Sequence, residues 1–137
     1  MRIDAGSSPA GHFIMFVAEG KLTYYSDYCV AYVDPEISKY YRSLLPKALY
    51  VQSTQFPPHT TVVRKTLEVA HDHKEWGKYN EVEVPVYYIP VVHTDNLYYW
   101  LNAYSPVLNA IRKELGLHPY RFPFNCFHIT IGNRKNA

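Results

Sequence analysis

The chain of 137 residues is long enough to bury one hydrophobic core and too short for two independent domains of ordinary size. Hydrophobic residues make up 47% and charged residues 19%, which excludes a largely disordered chain. A formal net charge of +2 is too small to indicate a protein that binds duplex nucleic acid. We therefore expect a single domain over residues 13–137, preceded by a flexible arm over residues 1–12.

The first half of the chain predicts a strand, a helix and a second strand. Residues 24–33 are rich in aromatic and β-branched side chains, which favour a strand. Asp34 can cap a helix and Pro35 suits its first position, and apolar residues then recur at helical spacing. We therefore expect a helix over about residues 35–45, followed by a strand over residues 60–65.

The second half predicts the same order of elements. Residues 81–92 contain strand formers that are interrupted by two prolines. Thr94 or Asp95 can cap a helix whose apolar stripe continues over residues 95–115, with a kink where a proline interrupts it. A last strand is expected over residues 126–131. This internal duplication of architecture indicates an α+β domain of two pseudo-symmetric strand-helix-strand lobes.

Each half ends in a strand with the same His-x-Thr triplet. His59 and Thr61 lie in PPHTTVVRK, and His128 and Thr130 lie in FHITIGNRK. Because side chains alternate along a strand, the histidine and threonine of each triplet share one face. If the lobes face each other, two imidazoles and two hydroxyls meet in a central cleft. The imidazoles suit acid–base catalysis and the hydroxyls suit a phosphodiester, so we expect neither a metal nor a cofactor.

Three aromatic residues are candidates for stacking on a nucleobase. Trp76 lies in a polar segment, and Tyr24 and Tyr25 lie at the very start of the predicted first strand. Packing against the core is the commoner role of such residues and stays open as an alternative. His71-Asp72-His73 contains residue types that bind metals, but we interpret it as a solvated loop because no further cluster completes a site. His93 is assigned to capping or packing at the predicted second helix.

The two triplets in their duplicated frame resemble the two-histidine (2H) phosphoesterase superfamily, over about residues 13–133. The segments GKLTYYSDYCVAYVD, PHTTVVRK, EWGKY and FHITIGN are more specifically similar to bacteriophage anti-CBASS nucleases, which destroy cyclic oligonucleotide signals of bacterial immunity. The resemblance implies antiparallel sheets that face a central cleft. It also implies that His59 and His128 are the catalytic pair and that Thr61 and Thr130 bind the phosphate. Thr60 departs from the usual apolar residue of the motif, and we expect it to point away from the cleft.

The resemblance implies a metal-independent phosphodiesterase that cleaves the 3′–5′ linkages of cyclic di- and trinucleotides. The ribose 2′-OH would attack the phosphorus, and the reaction would pass through a 2′,3′-cyclic phosphate. Two alternatives stay open, namely a 2′,3′-cyclic phosphodiesterase of linear RNA and a sponge that binds the cyclic nucleotide without cutting it.

The sequence also predicts where the protein acts. Two cysteines in strand-like segments fit reduced thiols, and no long apolar run or signal sequence is present. We therefore expect a monomer in the cytoplasm, that of the infected bacterial host if a phage encodes it, without a membrane partner.

Overall fold

The structure is a computed structural model that describes residues 14–135, so the predicted flexible arm over residues 1–12 lies outside the described residues. Within the described range the chain forms two successive ββαβ units. The strands are β1 (Phe16–Tyr24), β2 (Cys29–Tyr32), β3 (His59–Val63), β4 (Glu83–Thr94), β5 (Tyr98–Tyr104) and β6 (Phe127–Asn133). The α-helices are α1 (Pro35–Ser43) and α2 (Pro106–Glu114), and a 3₁₀ turn spans Lys47–Leu49. No helix in this range is long and apolar enough to cross a membrane.

The six strands of the described chain form one antiparallel sheet in the order β3-β2-β1-β4-β5-β6. The edge strands β3 and β6 carry the two His-x-Thr triplets. These edges curve toward each other until Cα atoms of the two strands lie within 8 Å, so the sheet is nearly a barrel. The predicted α+β fold is confirmed, and its two lobes are the two halves of this one curved sheet.

A pseudo-twofold relation governs the register of the sheet. Exchanging β1 with β4, β2 with β5 and β3 with β6 gives the same strand order, read from the opposite edge of the sheet. His59 lies opposite Tyr32 of β2, and His128 lies opposite Asn102 of β5. The equivalent threonine pairs are Thr61 with Val30 and Thr130 with Trp100. The two triplets therefore occupy equivalent positions, but the residues that flank them differ.

Each helix contacts the triplet strand of the other half. Arg42 of α1 donates a hydrogen bond from Nη1 to the carbonyl oxygen of Ile131 in β6 at 2.7 Å. Arg112 of α2 donates from Nη1 to the carbonyl oxygen of Val62 in β3 at 2.6 Å. Both carbonyls lie three residues after the histidine of a triplet. The two halves are thus joined by equivalent arginine contacts in addition to the sheet.

Arg112 is a buried charge with a nearly complete set of acceptors. The side chain is 2% exposed, and its Nη1 and Nη2 donate to the two carboxylate oxygens of Glu68 at 3.0 and 2.7 Å. Its Nε donates to the carbonyl oxygen of His118 at 2.8 Å, and the guanidinium carbon lies 4.4 Å from the centroid of the Tyr120 ring. A buried cation requires such pairing, because desolvation of an unpaired charge is costly.

One hydrophobic core joins the sheet to both helices. The residues that alternate with the triplet side chains belong to its buried layer, and Thr60 and Ile129 are fully buried. This burial confirms that Thr60 points away from the face of β3 that carries His59 and Thr61. The fully buried apolar residues include Leu22, Val62, Val63, Val86, Leu101, Leu108, Ile129 and Ile131.

Gly132 of β6 lies where the chain before β3 crosses the sheet edge. Gln52 and Asn133 form an isolated antiparallel bridge, with both N···O distances near 3.0 Å. A Cβ atom on Gly132 would lie 2.6 Å from Cγ1 of Val51 and 2.7 Å from the carbonyl oxygen of Gln52. Only glycine therefore fits at this crossing without a shift of the backbone.

The predicted helix over residues 95–115 is wrong in its first half. That part forms a turn and β5, in which every second residue is buried between β4 and β6. The helix begins only after Ser105, whose Oγ accepts a hydrogen bond from the amide of Leu108 at 3.2 Å. The Ser-Pro pair that the sequence suggested as a kink is therefore the start of α2.

The first half of the chain follows the prediction more closely. Helix α1 begins as predicted, because Asp34 Oδ1 accepts a hydrogen bond from the amide of Glu36 at 3.0 Å. The strand predicted over residues 24–33 is in part wrong, since Tyr24 ends β1 and Cys29 begins β2. A tight turn separates them, so this segment is the end of a hairpin.

Candidate active site

Two adjoining cavities lie along the edge strands. The larger has a volume of about 560 Å³ and is lined by residues 53–58, His59, Tyr98, Thr130, Asn133 and Lys135. The smaller has a volume of about 380 Å³ and is lined by Asp95, Tyr98, Trp100, His128 and Thr130. Because Tyr98 and Thr130 line both, the two cavities form one groove, which we call the edge groove. Its larger part has the size of a typical small-molecule pocket.

Three of the four predicted catalytic residues line the edge groove. His59 lines the larger cavity, His128 lines the smaller one, and Thr130 lies at both. Thr61 is partly buried on the same side of β3 as His59, but it lines neither cavity. The two halves thus contribute one imidazole each, and only the second half contributes its threonine to the groove.

His59 is held by a main-chain hydrogen bond. Its Nδ1 lies 2.8 Å from the carbonyl oxygen of Pro57, which can only accept, so Nδ1 carries a proton. Nε2 is then the nitrogen left to exchange a proton with a ligand. The ring of Tyr32 approaches edge-on with centroids 5.9 Å apart. A hydrogen bond between the hydroxyls of Tyr32 and Tyr25, together with burial, raises the pKa of Tyr32 to about 12, so it stays neutral.

His128 has different surroundings. Its ring centroid lies 5.4 Å from that of Trp100, and the other neighbour of Trp100 is His93, with centroids 6.1 Å apart and planes at 23°. Trp100 Nε1 donates a hydrogen bond to Asn102 Oδ1 at 3.1 Å, and Asn102 Nδ2 lies 3.2 Å from His93 Nε2. His128 is exposed on β6, but partial desolvation and, secondly, the nearby His93 lower its pKa below the usual value.

No functional role was predicted from the sequence for His93, Trp100 or Asn102. The signal that could have found them is period-two alternation, because Trp100 and Asn102 are only partly buried while the residues between and beside them in the strand are buried. Assigning this segment to a helix removed that signal. His93 is found only through the register of β4 against β5, in which it lies opposite Trp100.

The predicted base-stacking residues lie outside the edge groove. Trp76 packs edge-on against Tyr24 with centroids 5.1 Å apart, and its Nε1 donates to the carbonyl oxygen of Tyr25 at 3.3 Å. Both Trp76 and Tyr24 pack against the core, and burial raises the pKa of Tyr24. Tyr25 stacks on Tyr28 at 4.5 Å. Trp76 and Tyr24 thus pack in the core, Tyr25 contacts Tyr32 beside His59, and the stacking role of all three stays a prediction.

The segment His71-Asp72-His73 lies in the turns that follow β3. His71 Nε2 lies 3.6 Å from Asp72 Oδ1, and His73 Nδ1 accepts a hydrogen bond from the amide of Glu75 at 3.1 Å. Over residues 14–135 no group of three or more His, Cys, Asp or Glu side chains is arranged to hold a metal ion. This segment lines neither part of the edge groove.

Two histidines lie on the facing edges of a duplicated sheet, and each has a threonine two residues after it, an arrangement that suits acid–base chemistry on a phosphate ester. A family model for the Swiss Army Knife 2H phosphoesterase domain matches residues 31–137, which include both triplets. The chain therefore belongs to the two-histidine phosphoesterase family, and this membership supports a phosphodiesterase-type activity. No curated protein and no solved structure matches the chain.

Proposed function

We propose that the protein is a phosphodiesterase that cleaves the 3′–5′ linkages of cyclic di- and trinucleotides, as anti-CBASS nucleases do. The observation that carries this proposal is the edge groove, along which His59, Thr130 and His128 lie in one continuous space. A phosphodiester placed between the two imidazoles would leave the rest of a nucleotide ring in the larger cavity. The similarity of four sequence segments to anti-CBASS nucleases supports a cyclic substrate.

The composition of the groove suits an anionic ligand with flat bases. Lys135 lines the larger cavity, and its Nζ lies 5.5 Å from the centroid of the Tyr98 ring. The ammonium can attract a phosphate, and the phenol ring offers a surface for a base. The equivalent pair on the other half, Lys65 at 5.4 Å from the ring of Tyr28, lies outside the groove. The proposed ligand therefore contacts the two halves unequally.

The proposed reaction is an in-line transfer at phosphorus. One imidazole accepts the proton of a ribose 2′-OH while that oxygen attacks the adjacent phosphorus. The bond from phosphorus to O5′ breaks, and O5′ takes a proton from the other imidazole. The product is a linear nucleotide with a 2′,3′-cyclic phosphate and a 5′-OH, and proton exchange with water restores both histidines. Thr130 can donate a hydrogen bond to a non-bridging oxygen, where negative charge develops.

The direct test is chromatography of the products formed from a cyclic dinucleotide. We expect a linear dinucleotide from the ribose form, no cleavage of the 2′-deoxy form, and the same rate in excess EDTA, because the substrate supplies the nucleophile. His59→Ala and His128→Ala should abolish turnover without loss of folding, since each removes one proton-transfer group. Cleavage of the deoxy form at a similar rate, or activity in either alanine variant, would refute this mechanism.

The same experiment separates the two alternatives. A sponge would return intact cyclic nucleotide after denaturation of the protein. An enzyme for linear RNA ends would leave the cyclic dinucleotide intact but open a terminal 2′,3′-cyclic phosphate on an oligoribonucleotide. Either result would replace the proposed substrate.

A further inference from the structure

We propose that His128 is the proton acceptor of this reaction and that His93 is its positioning residue, acting through Asn102 and Trp100. The inference rests on the proposed function. It assigns different roles to two histidines that the pseudo-twofold frame places in equivalent positions.

The hydrogen bonds from Trp100 to His93 have a single consistent direction. The indole nitrogen of Trp100 can only donate, so the group that faces it at 3.1 Å is the oxygen of the Asn102 amide. The Asn102 nitrogen then faces His93 Nε2 at 3.2 Å and donates to it. While His93 is neutral, its Nε2 is therefore unprotonated and its Nδ1 carries the proton. The chain of donors and acceptors fixes the amide of Asn102 and the tautomer of His93 together.

This fixed chain lies directly against His128. Asn102 is opposite His128 in the register of β5 and β6. The Trp100 ring has His93 and His128 as its two aromatic neighbours, with the His128 plane tilted by 37°. Holding Asn102 and Trp100 in place thus restricts the orientation of the His128 ring. At the equivalent position beside His59 the neighbour is Tyr32, so only one of the two catalytic candidates has this arrangement.

The two imidazoles differ in their hydrogen bonds and in the charges near them. The carbonyl of Pro57 fixes a proton on Nδ1 of His59 and also accommodates the doubly protonated ring, which suits a proton donor. His128 receives no hydrogen bond at either ring nitrogen from the described part of the chain. Desolvation and the second imidazole of His93 oppose a positive charge on His128, which suits a proton acceptor.

Other titratable groups also face His128. The carboxylate of Asp95 and the hydroxyl of Tyr98 line the same cavity, and His59 lies further along the groove. Asp95 Oδ1 is already engaged by the amides of Leu97 and Tyr98 at 2.9 and 2.7 Å. Of these neighbours, His93 is the one whose charge opposes a positive charge on His128.

Two variants separate the charge of His93 from its hydrogen bond. In His93→Gln the side-chain oxygen can still accept from Asn102, but the residue cannot become a cation. We expect the acid limb of the pH profile of kcat/KM to move to higher pH, because the pKa of His128 rises without the charge of His93. The value of kcat at the optimum pH should be retained. In His93→Leu the acceptor is also lost, and kcat should fall by up to about 10²-fold with KM nearly unchanged, because the proton acceptor is misplaced. The control is His71→Gln in the solvent-facing turn, which should change neither limb.

NMR titration of the His128 ring gives a readout that does not need activity. The midpoint should rise in His93→Gln and stay the same in His71→Gln. If the wild type cuts no cyclic nucleotide, the proposed function fails, but the titration still tests the influence of His93 on His128.

An unchanged His128 midpoint with unchanged kcat in both His93 variants would overturn the inference. A shift of the alkaline limb instead would overturn the assignment of His128 as acceptor, and a loss of kcat fully matched by loss of thermal stability would make the role of His93 structural.

Discussion

Replacing Arg112 with methionine should destabilise the protein strongly. Methionine fills part of the space but leaves the Glu68 carboxylate, which is 11% exposed, without its bidentate partner. It also leaves the carbonyl oxygens of Val62 and His118 without the guanidinium donors that now lie 2.6 and 2.8 Å away. Removing one partner of a buried ion pair costs about 3–5 kcal/mol, and we expect the free energy of unfolding to fall by that amount.

The measurement is urea denaturation followed by tryptophan fluorescence and circular dichroism, with the slope of the transition checked for constancy. Arg42→Met is the matched control from the other half, because Arg42 donates one hydrogen bond to Ile131 and should lose only about 1–3 kcal/mol. Adding Glu68→Gln to Arg112→Met should recover stability, since the uncompensated charge is removed. A loss of less than about 1 kcal/mol in Arg112→Met, as for an exposed ion pair, would refute this reasoning.

Three further predictions concern the ion pair of Glu68, the threonines of the two triplets and Gly132. Burial raises the pKa of Glu68, but hydrogen bonds and the charge of Arg112 outweigh it and hold that pKa below 4.5. The resulting stability is complete above pH 4.5 and lost as pH falls through the lower folded pKa, so urea midpoints should decline there in the wild type and less in Glu68→Gln. Thr130→Val should weaken transition-state binding by up to about 2.7–4 kcal/mol, measured as kcat/KM, and Thr61→Val by less because Thr61 lies outside the groove. Gly132→Ala should raise KM by displacing the segment that walls the larger cavity, and an unchanged KM would show that this segment does not bind substrate.

The sequence predicted the features that depend on local pattern. The cap of α1 at Asp34 and the two triplets follow from spacing and residue type alone. The burial of Thr60 between His59 and Thr61 likewise follows from alternation along a strand. These features need no knowledge of which strands are neighbours.

The features that the sequence missed depend on pairing between distant segments. The apolar residues of β5 also fit helical spacing, and only hydrogen bonds to β4 and β6 decide in favour of a strand. The surroundings of His128 were missed for the same reason, because His93 and Asn102 meet only in the register of those strands. Trp76 was ambiguous because its polar neighbours conceal that its ring packs against Tyr24.

Each half of the protein donates an arginine hydrogen bond to the triplet strand of the other half, and these two bonds affect the order of folding. Arg42 and its acceptor are separated by 89 residues, and Arg112 and its acceptor by 50. Contacts between residues so far apart in sequence slow the folding of small domains, because the entropy of loop closure opposes them. During synthesis β3 is made before α2, so its contact with Arg112 cannot form until α2 has been made. Strand β6 is made last and packs against α1, which is made much earlier. We therefore expect the edge groove to form only in the final step of folding, when both arginine hydrogen bonds join the two halves.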